Sequence, residues 1–442
     1  MGFAPRTDVT SWGRAVRRRQ LVAAPAFRDQ IRAVVGAGSC GASCLAVGLR
    51  RSYGDSCLNS DGVLIETTRL DRFMSFDPDT GNLRAEAGAS LADILSLVVP
   101  RGFFLPTTPG TRFVTLGGAV ANDVHGKNHH VAGTFGRHVR AIGMLRSDGN
   151  RLVLSATENS ELFAATIGGL GLTGIIEWVE IGLVPIPSAW LDVETIPFPS
   201  LDAFWDIARA SVDTHEHTVA WIDCVASGAA FGRGIFSRAN WRKGDDRTAH
   251  TDRSWKRIPF EPPAALLNAW TIGALNAAYF RLQKRRTSAR VEHYAQFFYP
   301  LDAIADWNRL YGRPGMHQYQ CVIPFPEQQQ AVRALLGEIV ASGEASFLAV
   351  LKTFGGLPSP GLLSFPREGA TLALDFPNRG TSTLQLMERL DAIVRDAAGA
   401  LYPAKDGRMS AAMFRSGYPN WERFRSNIDP AFESDFWRRV KS

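Results

Sequence analysis

The segment from Pro106 to Val139, PTTPGTRFVTLGGAVANDVHGKNHHVAGTFGRHV, combines glycines and small residues with four histidines and one lysine. This mixture indicates a binding site in an otherwise arginine-rich chain. Because glycine allows positive φ and close backbone approach, we expect Gly110, Gly117 and Gly118 to let backbone N–H groups line a concave surface for an anion such as a pyrophosphate. The spacing matches neither GxGxxG nor GxxxxGK[ST], so neither a Rossmann turn nor a P-loop is indicated.

Two more glycine-containing segments suggest that one extended ligand contacts several loops. AVGLRRSYGDS spans residues 46–56 and precedes the strand-like GVLIE at 62–66, and TIGGLGLTGII spans residues 166–176. Together the three segments resemble the FAD-binding half of the vanillyl-alcohol-oxidase type flavoproteins, in which separate backbone loops wrap the pyrophosphate and the flavin. The resemblance implies an α+β fold with an FAD-binding domain and a substrate domain built on an antiparallel sheet.

Shorter motifs narrow the resemblance within that family. They are GLRRSYGD (48–55), PGTRFVTLGGA (109–119), HGKNHH (125–130), GLTGII (171–176), QYQ (318–320), LKTFG (351–355), SFP (364–366), DFP (375–377) and LYPAKD (401–406). In this order, from about Trp12 onward, they resemble the oxidase subunits of decaprenylphosphoryl-β-D-ribose 2-epimerases. The resemblance implies FAD-dependent oxidation of a secondary sugar hydroxyl, at C2 of a polyprenyl-phosphoryl ribose, as the first half of a 2-epimerisation to the arabinose form.

The resemblance also assigns residues to the cofactor. The expected FAD contacts are Ala46, Val47, Gly48, Leu49, Arg50, Arg51, Ser52, Tyr53, Gly54, Asp55, Ser56, Gly110, Thr115, Leu116, Gly117, Gly118, Asn122, Asp123, Val124, His125, Ile176 and Tyr402. Many relatives join the flavin covalently to a histidine at the position of Arg51. Arginine cannot form that bond, so we expect non-covalent FAD.

Lysine usage points to the reacting groups. Only seven of the 49 basic residues are lysines, and Lys127, Lys352 and Lys405 fall within the motifs. A lysine whose pKa falls on burial can accept a proton or donate to an oxygen, which arginine does poorly. By resemblance, we expect Lys405, His125 and Tyr53 to be catalytic. The residues expected to contact substrate are Gln318, Gln320, Lys352 and, at the phosphate, Lys127.

Three positions depart from the epimerase pattern. Arg50 stands where the epimerase oxidases usually have glycine, which leaves the turn geometry open. Asn122 and Ala373 stand where the best-known relatives have cysteine, so no thiol chemistry is expected at either position. The alternative function is a soluble sugar-alcohol or aldonolactone oxidase on the same fold. A flavin-binding module without catalysis is a further alternative, disfavoured by Lys405 and His125.

Length and composition agree with a two-domain protein. The 442 residues exceed the ~250–300 at which single cores stop growing, and we expect an FAD-binding domain at 1–188, a substrate-binding domain at 189–399 and a C-terminal segment, 400–442, that returns to the FAD domain. Five scattered cysteines do not suit a disulfide scaffold, and Cys40 and Cys44 without a second pair make a poor zinc site. The clustered histidines lack accompanying carboxylates except Asp123, so no metal is expected.

The net charge of +6 suits an anionic membrane surface or a phosphorylated substrate, and no pattern favours nucleic acid. No apolar signal segment is visible near Met1, so we expect a cytoplasmic protein with a peripheral contact at the inner face of the plasma membrane. Within the segment Pro262–Arg286, the uncharged run at 264–280 has seventeen residues, fewer than the ~20 apolar residues of a spanning helix. Three alternatives remain open for the segment: a helix that lies on an anionic membrane, a buried helix, or a lid. The implied partner is a separate NAD(P)H-dependent short-chain reductase.

Overall fold

The structure is a computed structural model that describes residues 4–36, 41–60, 62–251, 256–263, 266–285, 289–346 and 348–442. Two sequence expectations touch residues outside these ranges. Cys40, half of the cysteine pair considered for zinc, lies outside the described residues, as do Ala264, Ala265 and Arg286 of the segment considered for membrane contact.

The first part of the chain forms two small sheets with short helices between them. Its elements are β1 (Ala4–Arg6), β2 (Gln20–Ala23), α1 (Arg28–Gly36), β3 (Cys44–Val47), β4 (Val63–Glu66), β5 (Phe73–Asp77), β6 (Asn82–Glu86), α2 (Leu91–Val98), β7 (Phe103–Phe104), α3 (Leu116–Ala121), α4 (His129–Ala132), β8 (Val139–Leu145), β9 (Arg151–Leu154), α5 (Ser160–Thr166) and β10 (Ile175–Gly182). One sheet has the order β1-β2-β4-β3, and the other is antiparallel in the order β5-β6-β10-β8-β9.

Local sequence explains helix α2 and its packing. Ser90 caps the helix because its side chain accepts a hydrogen bond from the Asp93 N–H. Leu91, Ile94, Leu95 and Val98 follow the helical period and are fully buried. They join a hydrophobic core that includes Leu83 and Val179 of the five-stranded sheet, so α2 is fixed beneath the loops that carry the glycines.

The second part of the chain forms one large antiparallel sheet. Its elements are β11 (Val184–Pro185), β12 (Trp190–Phe198), α6 (Leu201–Ser211), β13 (His217–Ile222), β14 (Gly234–Trp241), β15 (Lys256–Arg257), α7 (Ala269–Lys284), β16 (Ala289–His293), α8 (Tyr294–Phe298), β17 (Ile304–Ala305), β18 (Met316–Pro324), α9 (Gln328–Ser342), β19 (Ala349–Phe354), β20 (Gly369–Pro377) and α10 (Thr381–Asp396). The eight strands have the order β16-β12-β14-β13-β19-β20-β18-β21, with β21 at Ala400–Leu401.

Alternation along the strands gives this sheet two different faces. Tyr319 and Cys321 of β18, together with Leu372 and Leu374 of β20, pack into a core shared with α6, α9 and α10. The residues between them point to the opposite face, because successive side chains of a strand alternate. That opposite face is the one that borders the first part of the chain.

The residues after Gly399 form β21, α11 (Ala411–Gly417), α12 (Trp421–Arg425) and α13 (Asp435–Val440). Strand β21 pairs with β18 of the large sheet, and the chain then returns to β3 and the loop that follows it. The Asp435 N–H donates to the carbonyl of Leu58, and the Arg439 guanidinium pairs with Asp55 at 2.7 Å. The α+β class with an antiparallel second sheet is confirmed. The domain boundaries at 188/189 and 399/400 stay a prediction.

Close backbone packing between residues 54 and 406 gives a stability prediction. A Cβ added at Gly54 would lie 1.7 Å from the Asp406 carbonyl oxygen, which belongs to rigid backbone. Gly54→Ala should therefore destabilise the fold by about 1–3 kcal/mol or more, measured as a lower thermal unfolding midpoint. Gly337→Ala in α9 is the control, because a Cβ there meets nothing within 4 Å and favours the helix. Equal midpoints for Gly54→Ala and the wild type would contradict the prediction.

Candidate active site

A cavity of about 1100 Å³ lies between the glycine-bearing loops and the free face of the large sheet. Ordinary small-molecule pockets have ~300–1,000 Å³, so this cavity is just above that range and can hold a large, extended ligand. From the sheet, alternate residues of neighbouring strands reach the wall. They are Gln318 and Gln320 of β18, Thr371, Ala373 and Asp375 of β20, Val350 and Lys352 of β19, Val219 and Trp221 of β13, and Ile235 and Ser237 of β14.

The loop after β3 supplies one wall with free backbone donors. The N–H groups of residues 48–52 donate to no acceptor within the described part of the chain, and all five residues border the cavity. Gly48 is needed here, because a Cβ would lie 2.2 Å from the Thr115 hydroxyl oxygen. A run of free N–H groups at a cavity wall suits an anion such as a diphosphate.

The glycines of the loop at residues 106–118 do not have the backbone conformation that was expected. Gly110, Gly117 and Gly118 are not among the glycines with positive φ, and Gly117 and Gly118 lie in helix α3. The Gly117 N–H is already bonded to the Ala87 carbonyl at 2.8 Å. A Cβ at Gly117 would lie 2.8 Å from the Cβ of Ala87, so close packing explains this glycine. The expected positive φ at these three glycines is therefore wrong, whereas their contact with an anion stays a prediction.

Arg50 and Arg51 occupy the first loop in distinct ways. Arg50 adopts a positive φ of 51°, so the left-handed turn forms without glycine, and its guanidinium pairs with Glu66. Arg51 lies with its guanidinium carbon 4.0 Å from the ring centroid of Trp12, and its Nε donates to the Phe113 carbonyl. Burial lowers the pKa of Arg51, but an arginine stays charged.

The structure places most of the expected cofactor residues at the cavity and a few elsewhere. The expected residues that border it are Ala46, Val47, Gly48, Leu49, Arg50, Arg51, Ser52, Tyr53, Ser56, Gly110, Thr115, Gly117, Gly118, Asn122, Val124, His125, Ile176 and Tyr402. Gly54, Asp55, Leu116 and Asp123 are absent from that wall.

These four residues hold the surrounding protein together. Asp55 pairs with Arg439, and Leu116 lies in the apolar core. The buried Asp123 accepts hydrogen bonds from the hydroxyls of Ser359 and Ser364 and from the Gly136 N–H. It therefore links the loop between β19 and β20 to the segment between α3 and β8. Direct contact of these side chains with a cofactor has no support in this geometry.

One polar cluster joins Lys405, Tyr53, Gln318 and Asp375. The Lys405 Nζ lies 4.0 Å from the ring centroid of Tyr53. Gln318 and Asp375 are directly opposite each other on neighbouring strands, and the Gln318 amide donates to one Asp375 oxygen. Burial lowers the pKa of Lys405, and the nearby Asp375 carboxylate raises it in part. Burial also raises the pKa of Tyr53 well above its usual value, so Tyr53 is a neutral phenol.

A second polar cluster surrounds His125. The Lys352 Nζ lies 3.4 Å from His125 Nδ1, and the Gln320 amide lies 3.1 Å from His125 Nε2. Burial and the Lys352 charge hold the pKa of His125 well below 6.5, so the imidazole is neutral. If Lys352 donates to Nδ1, the ring proton sits on Nε2, and the Gln320 carbonyl oxygen must face it. Tyr402 packs beside the ring and donates its hydroxyl to the Asn122 carbonyl at 2.8 Å.

Lys127 lies at the wall between these clusters and β13. Its ammonium group donates to the Phe297 carbonyl and lies 4.3 Å from the Phe297 ring centroid. Burial and the charge of Lys352 lower its pKa to about 7. A phosphate that bound nearby would favour the charged form of Lys127. The expected contact between Lys127 and the substrate phosphate stays a prediction.

The motif analysis assigned no role to Asp375, although it is part of DFP. Its side chain is fully buried, and its Oδ2 has no hydrogen-bond partner among the described residues. Burial raises its pKa. One sequence signal was present: Asp375 is the only charged residue in the strand GATLALDFP, which is otherwise apolar apart from one threonine. A single carboxylate in such a strand needs a partner or a function.

The comparisons with known proteins agree with this site. Residues 19–155 match the family described as an FAD binding domain, and these residues include the free N–H donors at 48–52 and the helix α3. A large cavity, a run of anion donors and a separate polar cluster fit FAD together with a substrate. The chain is an FAD-dependent oxidoreductase of the vanillyl-alcohol-oxidase type, and FAD is its cofactor.

More specific relatives identify the family. The chain is 36% identical over 419 residues to the decaprenylphosphoryl-β-D-ribose oxidase of Mycolicibacterium smegmatis, with 91% of this chain and 90% of the relative covered. It belongs to the family of that oxidase. It is also 32% identical to an uncharacterized protein in the mprA 5' region of Streptomyces coelicolor, over 79% of this chain and 99% of the relative. The L-gulono-1,4-lactone dehydrogenase of Mycobacterium tuberculosis is 24% identical, with 89% of each chain covered.

Arg51 leads to a prediction about how the cofactor is attached. Its guanidinium is engaged with Trp12 and Phe113 and cannot form a covalent bond to the flavin. Acid precipitation of the holoenzyme should release all FAD into the supernatant, measured by absorbance. Yellow colour that remained in the washed pellet would show a covalent bond and contradict this expectation.

Proposed function

We propose that this chain oxidises the C2 hydroxyl of a polyprenyl-phosphoryl ribose to the 2-keto sugar. The observation that carries the proposal is the pair of polar clusters around Lys405 and His125. They lie on the face of the large sheet that is turned toward the cavity and the FAD loops. The name of the M. smegmatis relative supports the sugar assignment. The polar groups at this wall are those that a ribose with several hydroxyls requires.

Bound FAD supplies the hydride acceptor, so the protein must orient the carbinol and remove its hydroxyl proton. Lys405 is suited to take this proton, because burial lowers its pKa to about 8, so that part of the population is a neutral amine near neutral pH and more of it becomes neutral as the pH rises. Tyr53 and Asp375 flank it, and Asp375 favours the ammonium once the proton has arrived. Tyr53, expected to be catalytic, serves as a hydroxyl donor and as the face on which Lys405 rests.

The His125 cluster serves to position the sugar. A neutral imidazole between Lys352 and Gln320 has little freedom to rotate, because both ring nitrogens have a neighbour within 3.4 Å. Lys352 itself has a pKa lowered to about 8 by burial and by Lys405, so it remains largely a cationic donor at neutral pH. Lys352 therefore holds and polarises a ribose oxygen, the neutral His125 fixes the position of its ammonium group, and Lys127 meets the phosphate.

The keto product calls for a second enzyme. A 2-keto sugar becomes the arabinose form only if a hydride is added to the opposite face, which a separate NAD(P)H-dependent reductase would supply. Aldonolactone oxidation is the second candidate, since the 24% identical L-gulono-1,4-lactone dehydrogenase is covered over nearly the same length. The higher sequence identity to the ribose oxidase, 36% against 24%, favours a phosphorylated ribose as the substrate.

A peripheral membrane contact is part of the proposal, and helix α7 supports it. Among the described residues, no helix has the length and apolar character needed to cross a bilayer. Only Ile272 and Asn276 of α7 are buried, which argues against a buried helix. Trp270 is 90% exposed, and the exposed Arg281 and Lys284 lie near the end of a helix that has no acidic residue. Exposed apolar groups beside basic ones match an anionic lipid surface.

Substrate selectivity tests the proposed reaction. Under anaerobic conditions, a polyprenyl-phosphoryl ribose should bleach the flavin absorbance of the holoenzyme, because the sugar hydroxyl supplies the hydride. Free alditols and L-gulono-1,4-lactone should leave it unchanged. Bleaching by the lactone but not by the phosphoryl ribose would establish the second candidate instead.

Substitution of Lys405 tests its role as proton acceptor. Lys405→Ala should keep the flavin spectrum while the rate of anaerobic reduction falls by ~10²–10⁴, the usual worth of general acid–base help. Lys405→Arg should restore little, since a guanidinium stays protonated. A near-normal rate for Lys405→Ala would show that another group accepts the hydroxyl proton.

The pH profile tests the electrostatic link between Asp375 and Lys405. The rate should rise with pH as Lys405 becomes neutral, because only the amine accepts a proton. The Asp375 charge raises the pKa of Lys405, so Asp375→Asn should move this rise to lower pH, by about one unit or more. Asp302→Asn, another buried carboxylate at the cavity, is the control and should leave the rise in place. An unmoved profile in Asp375→Asn would refute the link.

Vesicle sedimentation tests the membrane contact. Trp270→Ser should reduce binding of the holoenzyme to vesicles that contain phosphatidylglycerol, and added salt should weaken the binding of the wild type through screening. Phe73→Ser is the control, because Phe73 is an exposed aromatic residue on the distant strand β5. Equal binding of the wild type and Trp270→Ser would exclude lipid contact through this face.

A further inference from the structure

The wall of the cavity changes character across the large sheet. The polar wall residues Gln318, Gln320 and Asp375 lie on β18 and β20. In the order β18-β20-β19-β13-β14, the next strands contribute Val350 and Lys352, and then the wall becomes mostly apolar. With strands ~4.8 Å apart, the distance from β20 to β14 is roughly 14 Å, which is the length of several carbon–carbon bonds.

The apolar part of the wall consists of residues from two strands and a helix. This part of the cavity is lined by Val219 and Trp221 of β13, Ile235 of β14, and Leu275 and Tyr279 of α7. The Trp221 and Tyr279 rings meet edge to face with centroids 4.9 Å apart, so they form one continuous apolar surface. The polar residues here are Asn276 on α7, Ser237 on β14 and, on the edge strand β16, Arg290 and Glu292, which pair with each other.

Helix α7 holds this wall in place through a buried polar contact. The Asn276 side chain donates to Asp223 at 2.8 Å, and Asp223 is itself paired with Arg233. Because Asp223 is only 2% exposed, this contact fixes the turn of α7 that carries Leu275 and Tyr279. Helix α7 is therefore held in a fixed position against β13 and β14.

The same helix carries an apolar stripe from the cavity to the surface. Ile272, Leu275, Tyr279 and Leu282 follow the i, i+3, i+7 and i+10 spacing of one helix face. Ile272 is fully buried, whereas Leu275 and Tyr279 are both wall residues and 54% and 41% exposed. The cavity therefore opens to solvent at these two side chains, and the stripe continues to the exposed Leu282.

We propose that the space between α7 and strands β13 and β14 binds the first isoprene units of the substrate lipid and leads the chain out past Leu275 and Tyr279. This inference rests on the function proposed above. Lys127 supports the order of groups along the cavity, because its carbonyl accepts the Thr218 N–H of β13 and its ammonium group lies against Phe297 at the cavity wall. Sugar, phosphate and lipid would then meet polar, cationic and apolar walls in sequence.

Substrate chain length gives a direct test. Phosphoryl riboses that carry one, two or three isoprene units are compared by anaerobic flavin reduction with the holoenzyme. Because each buried CH₂ contributes ~0.8 kcal/mol, KM should fall by roughly tenfold or more for each isoprene unit that enters the groove. Leu275→Asp should remove this dependence on chain length.

Trp270→Asp is the matched control, because the same substitution is made on the same helix at an exposed position outside the wall. It should keep the full dependence on chain length. Flavin content and circular dichroism of both variants check that they fold. Equal dependence in Leu275→Asp and the wild type would overturn the proposed lipid route.

A binding measurement separates this inference from the proposed reaction. Farnesyl phosphate has the lipid and the phosphate but no sugar, so its affinity for the holoenzyme by calorimetry does not depend on oxidation. Leu275→Asp should weaken it tenfold or more, whereas Trp270→Asp should not. If farnesyl phosphate binds in this way but no phosphoryl ribose bleaches the flavin, the reaction fails and the lipid groove stands. Unchanged affinity in Leu275→Asp overturns the groove.

Discussion

The Arg439 guanidinium is the interaction on which the geometry of the reacting groups depends. It pairs with Asp55 in the first glycine-rich loop and with Asp406 next to Lys405, and it also donates to the Met409 carbonyl. A backbone hydrogen bond from Tyr53 to Ala404 runs beside this bridge. Two segments more than 300 residues apart are thereby held side by side, with Lys405 over the Tyr53 ring.

Such a bridge is needed because the site concentrates groups that oppose burial. Lys405, Lys352 and His125 are buried near one another, and each disfavours the charge of its neighbours. Asp375 offsets part of this repulsion. Removing a charged group from water costs several kcal/mol, and the surrounding fold must supply that free energy. The extensive apolar core beneath the sheet and the ion pairs of Arg439 provide a rigid frame in which Lys352 and Lys405 keep the lowered pKa on which the proposed proton transfer depends.

Much of this arrangement could be predicted from the sequence. The motifs pointed to the FAD loops, and the alternation in QYQ already indicated that Gln318 and Gln320 share a face. What could not be predicted depended on tertiary neighbours. The Gly117 N–H donates to the Ala87 carbonyl, a neighbour that only the folded chain brings close. The Asp123 carboxylate, expected at the cofactor, instead accepts hydrogen bonds from Ser359 and Ser364. The importance of Asp375 follows from its register against Gln318, which no local pattern encodes.

The return of the chain after Gly399 has a consequence for the order of folding. The loops expected to contact FAD lie in the first 176 residues, apart from Tyr402, whereas Lys405 and Arg439 are made last among the groups discussed here. During synthesis, these loops therefore exist well before Lys405, the proposed proton acceptor. A nascent chain that captured FAD early would hold an oxidant without that amine beside it. The reaction proposed for this site would then begin only once the C-terminal segment has docked against β3 and β18.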